Sequence, residues 1–127
     1  MTKHELALSM QNADVHYNCA QIVLSAFGEE LGLTREQCCA LATNFGGGMG
    51  CGSMCGAITG ALMAMGGMGL PMSTRSELYD LFRKNNGHLH CADLIKAAAE
   101  RGEPKRTHCD RVILECVDFV CKQINKE

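Results

Sequence analysis

Residues Gln37–Thr74 read QCCALATNFGGGMGCGSMCGAITGALMAMGGMGLPMST, and no charged side chain occurs among them. Ten of the fourteen glycines of the chain lie in this stretch. Its apolar part, from Cys51 to Leu70, has the length of a membrane span. It is diluted by glycine, however, ends in Gly66-Gly67-Met68-Gly69 ahead of Pro71, and has no flanking Lys/Arg cluster. The expectation is a buried central helix preceded by a glycine-rich loop, with no membrane partner.

Working outward, the apolar residues recur at helical spacing and nowhere alternate with a period of two. Leu6, Ala7 and Met10 suggest a short first helix. Cys19, Ile22, Val23, Ala26 and Phe27 form the face of a second, behind the cap candidate Asn18 and ahead of Gly32. Thr34-Arg35-Glu36-Gln37 is a capping box for a third, with Cys38, Leu41, Ala42 and Phe45 inward. Ser53 is expected to cap the central helix. Thr74-Arg75-Ser76-Glu77 reads as another capping box, for a helix ending at Asn85-Asn86-Gly87 with Leu78, Leu81 and Phe82 inward. A sixth helix runs from Cys91 to Arg101. Gly102 and Pro104 interrupt, and Thr107 is expected to cap a last helix carrying Cys109, Val112, Ile113, Cys116, Val117 and Val120. The prediction is an all-α, single-domain bundle of about six or seven helices spanning residues 1–127.

A chain of 127 residues can bury a core without a staple. The balance of 12 Lys+Arg against 14 Asp+Glu offers no basic stripe, so nucleic acid is not an expected partner. The N-terminus MTKHELALSMQNAD is not a secretory signal, which makes the reducing cytoplasm the expected compartment.

Nine cysteines occur with no Cys-x-x-Cys pair among them. Neither a zinc finger nor a secreted disulfide scaffold has that pattern. Four share a placement: Cys19, Cys55, Cys91 and Cys109 each fall at the expected first turn of a separate helix. Helix N-termini carry unpaired N–H groups and partial positive charge, which favour a thiolate. Four of them converging would suit an anionic centre held by thiolates, and iron–sulfur clusters commonly take four cysteines. Cys116, Cys121, Cys38 and Cys39 read as packing. Cys51 could be a spare ligand or a resolving thiol. His16, His90 and His108 stand near three of the four cysteines and read first as solvated surface groups. Gly46–Gly52 lacks the Gly-Lys-Ser/Thr ending of a phosphate loop. Gly52, Gly56, Gly60 and Ala64 form a small-residue ladder suited to close packing within the chain or across a homodimer.

At Cys55-Gly56-Ala57-Ile58-Thr59-Gly60 the chain resembles the C-GCAxxG-C-C family of redox-active proteins. The likeness includes NCAQIVLSAFGEELGL, FGGGMGCGSMCGAITGALMAMG, HCADLI and HCDRVI. It implies that the family's four cysteines correspond to Cys19, Cys55, Cys91 and Cys109. The chain spells its motif Cys-Gly-Ala where the family label reads Gly-Cys-Ala. A related domain resembles part of the split-Soret cytochromes, but this chain has no haem motif and no haem role carries over.

The leading expectation is a redox-active protein that binds an iron–sulfur cluster, four-iron by its ligand count, through those four cysteines. It would transfer electrons to a redox partner or sense redox state. One alternative is a thiol–disulfide oxidoreductase or small-molecule reductase using Cys55 as a reactive thiolate. Another is a zinc-stabilised interaction module.

Overall fold

The computed structural model describes residues 1–125. The chain is all-α, with eight α-helices among these residues: α1 (Lys3–Gln11), α2 (Cys19–Ala26), α3 (Gly28–Leu31), α4 (Arg35–Ala42), α5 (Gly56–Gly67), α6 (Ser73–Asn86), α7 (Cys91–Glu100) and α8 (Lys105–Asn125). The eighth comes from a break in the expected second helix. Phe27 leaves helical geometry at φ −110°, ψ 16°, and a four-residue turn, α3, follows before Gly32 closes it in the left-handed region.

Local capping chemistry sets several starts. Asn18 caps α2 and Thr34 caps α4, each in a reciprocal box with a glutamine three residues on, so the polar N-terminal amides are satisfied. Thr2 and Glu5 form a third box that starts α1 earlier than its apolar residues suggest. The box expected at Thr74 is absent. Thr74 lies inside α6, and its hydroxyl donates to the Pro71 carbonyl at 2.7 Å, because the Pro71 turn begins the helix at Ser73. Thr107 is likewise inside α8, which starts at Lys105. The Pro104 carbonyl accepts from the His108 amide at 3.0 Å, and a proline there sacrifices no helical N–H.

The centre is the pair α2–α5, with α8 and α1 packed over it and α4 beside α2. One continuous core runs from Ala7 to Val120 and includes Phe27, Ile58, Leu78, Phe82 and Val117. The small-residue ladder is used within the chain. A Cβ at Gly60 would stand 2.9 Å from the Ala20 carbonyl and from the Val23 Cβ, so α2 lies directly on α5. No helix among the described residues is long and apolar enough to cross a membrane. Two expected core residues face out: Leu41 is 58% exposed and Leu81 39%. In the short α4, Cys38 and Ala42 already fill the buried face.

Candidate functional site

The glycine-rich segment brings two helix starts together. Met54 pairs with His90 in a single antiparallel bridge, the Cys55 amide donates to the Leu89 carbonyl at 2.9 Å, and the Cys91 amide to the Ser53 carbonyl at 2.6 Å. The beginnings of α5 and α7, with Cys55 and Cys91, are thereby held side by side. Gly48 makes this possible. It has φ +63°, and a Cβ there would collide with the Ser53 backbone and stand 2.9 Å from the Cys91 Cβ.

Cys19 is the first residue of α2 and Cys91 the first of α7, while Cys55 is itself the N-cap of α5 in place of the expected Ser53. Cys109 differs from the expectation: it is the fifth residue of α8, a full turn inside the helix. The end of α1 locks α8 in position, since Gln11 Nε2 donates to the Asp110 carbonyl and Arg106 Nη2 to the Gln11 carbonyl, both at 2.9 Å.

Cys19, Cys55, Cys91 and Cys109 all line one cavity of about 370 Å³. Four separate helices therefore deliver four thiols to one space. His16, Tyr17, Lys105 and His108 share its wall. Cys51 stands elsewhere, exposed on the loop with its thiol donating to the Gly48 carbonyl at 3.5 Å. Cys38 and Cys116 are buried packing groups. His90 is exposed as expected. His108 is not: only 2% of it is accessible. Its burial under Arg101 and Arg111 is a tertiary arrangement, and Arg111 three residues along the same helix was the one sequence signal for it. Lys105 and Tyr17 had no signal beyond adjacency to other candidates.

Three of these thiols, Cys55, Cys91 and Cys109, are harder to ionise than the sequence suggested. Burial pushes the Cys55 thiol up to about 12, helped by neighbouring Cys19 and Cys91. The amides of Ala57 and Ile58 pull it back only partly, without forming a cap hydrogen bond of normal geometry. Burial, then Cys19 and Cys91, takes Cys109 to about 11. Cys91 also rises, through burial and then Cys19, with Lys105 opposing. Loss of water outweighs the helix terminus at Cys55 and Cys91. Burial thus moves Cys55, 5% exposed, away from the low pKa expected of a reactive thiolate. Cys19 is the neighbour that acts on all three other cavity thiols. All nine cysteines are free, and no three Cys, His, Asp or Glu side chains among the described residues converge closely enough to hold a single metal ion.

The chain is an all-helical protein in which four cysteines from separate helices line one cavity. The chain belongs to the C_GCAxxG_C_C family, described as "Putative redox-active protein", whose sequence profile matches residues 17–123. No significant match exists among curated proteins or among solved structures.

Proposed function

We propose that the protein is a redox protein whose Cys19, Cys55, Cys91 and Cys109 hold an iron–sulfur cluster, serving electron transfer or redox sensing in the cytoplasm. The observation that carries the reading is the shared cavity: four thiols from four helices line about 370 Å³. A single tetrahedral zinc ion needs its sulfurs at ~2.3 Å from one point. A cluster binds each thiolate through a different iron atom, which suits thiols that share a cavity without converging on one point. Burial favours the same reading over a thiol exchange enzyme, because the Cys55 thiol sits at about 12 and is shielded from substrates. Metal binding deprotonates such thiols outright. When bound, the cluster supplies one-electron chemistry; the chain supplies four ligands, an apolar wall of Ile22, Leu94 and Ile113, and positive charge at Lys105.

Protein purified without oxygen should be brown, contain iron and acid-labile sulfide, and bleach on reduction. A colourless protein that takes up no iron even on reconstitution overturns the proposal. One zinc without sulfide would establish the interaction-module reading instead.

A further inference from the structure

We propose that His108 is held as a single tautomer that presents its Nε2–H to the four-cysteine cavity, as a hydrogen-bond donor to a sulfur of the centre bound there. The acceptor rests on the function proposed above; the tautomer does not.

The tautomer follows from the partners of Nδ1. Arg111 Nη2 lies 3.2 Å and Arg101 Nη2 3.4 Å from that atom. A guanidinium has five donors and no acceptor, so Nδ1 must accept and carries no proton. The neutral ring's proton is then on Nε2. Glu103 fixes the two arginines in place, accepting from Arg111 Nη2 at 3.1 Å and from Arg101 Nε at 3.2 Å. The device uses three charged side chains to orient one neutral ring.

The direction of Nε2 follows from its lack of a partner. No protein group hydrogen-bonds it among the described residues, and no fully buried side-chain nitrogen is left unpartnered. His108 is 2% exposed and is one of the residues of the cavity wall, and on this proposal the access that Nε2 retains is on the cavity side. N–H groups directed at cluster sulfurs stabilise the more negative, reduced state and raise the potential. His108 is a positioning and tuning residue on this reading, beside the ligand Cys109 in sequence.

Long-range ¹⁵N–¹H NMR of metal-free wild-type protein at neutral pH reads the tautomer directly. The expected result is an unprotonated, pyridine-type Nδ1 and a protonated Nε2. A proton on Nδ1, or on both nitrogens, overturns the assignment. On loading with iron and sulfide, the Nε2–H resonance should shift; an unmoved resonance removes the sulfur acceptor. Spectroelectrochemistry on loaded variants gives the third readout. His108→Leu should lower the potential, and His108→Gln, whose amide can place an N–H near the same point, should restore most of the loss. A Leu variant that folds and keeps the wild-type potential overturns the tuning role. A wild type that binds no iron sinks the functional reading and its sulfur acceptor together, and is told apart because the tautomer measurement needs no metal.

Discussion

The sulfur of Cys19 occupies the space that any side chain at Gly56 would need. The glycine after Cys55 is thus part of how α2 and α5 bring two cavity thiols together.

Gly56→Ala should therefore destabilise the fold. The new Cβ would meet Cys19 Sγ on one side and stand 2.9 Å from the Phe45 carbonyl on the other, so backbone must move. Overpacking of this kind costs about 1–3 kcal/mol. Gly66→Ala, later in the same helix with nothing within 4 Å, is the matched control. It should be neutral or gain up to about 1 kcal/mol from helix propensity. Urea denaturation of both variants checks this, and equal stabilities would contradict the packing argument.

Replacing the cavity cysteines should separate them from the other five. Cys19→Ala, Cys55→Ala, Cys91→Ala and Cys109→Ala should each lose most bound iron after reconstitution. Cys51→Ala should keep it, because that thiol is exposed on the loop and outside the cavity wall. Cys116→Ala should also keep it, while costing about 1 kcal/mol for the small core void left at a fully buried site. Iron and sulfide analysis reads all six variants. Iron retained in the Cys19→Ala and Cys109→Ala proteins would exclude the four-ligand set.

The pattern of agreement between sequence and structure has physical causes. Helix starts set by neighbouring residues were legible, as at Asn18–Gln21 and Thr34–Gln37, because a capping box is a local contact. Pro104 misled, since a proline that appears to interrupt also sits well at a helix start, and that displaced Cys109 from the first turn. Cys19, Cys55 and Cys91 were legible through their placement at helix starts and the family motif, and Cys109 through the motif alone. The ionisation of Cys55, Cys91 and Cys109 was not. Helix-terminal charge is visible in sequence, but the loss of water around Cys55 depends on α2, α7 and α8 closing over it. His108 was hidden for the same reason, because Arg101 and Glu103 reach it from the preceding turn.

Thiol labelling of the metal-free protein should follow exposure and not helix placement. Cys51 is exposed, whereas Cys55 is buried with its thiol at about 12 and Cys116 is pushed well above the ordinary value by burial. Iodoacetamide at neutral pH should modify Cys51 first and Cys55 and Cys116 last, at least about tenfold more slowly. Peptide mass mapping over time gives the order. Fastest labelling at Cys55 would restore the reactive-thiolate reading.

Glu103 should make stability depend on acid in one direction. Hydrogen bonds from Arg111 and then Arg101 hold its carboxyl at about 2, below its ordinary 4.5. A carboxyl whose folded pKa is depressed binds fewer protons when folded than when unfolded, so its contribution is complete above the ordinary value and fades as pH falls through the folded one. Its side chain is partly solvated, so the contribution is discounted by screening. Glu103→Gln should lower the urea midpoint at pH 7 and leave the gap to wild type unchanged down to about pH 5. Between 4.5 and 2 the gap should close, because the wild-type carboxyl is then protonated as well. A gap that stays constant across this range would mean that Glu103 acts through packing and not through its charge on the two arginines that hold His108.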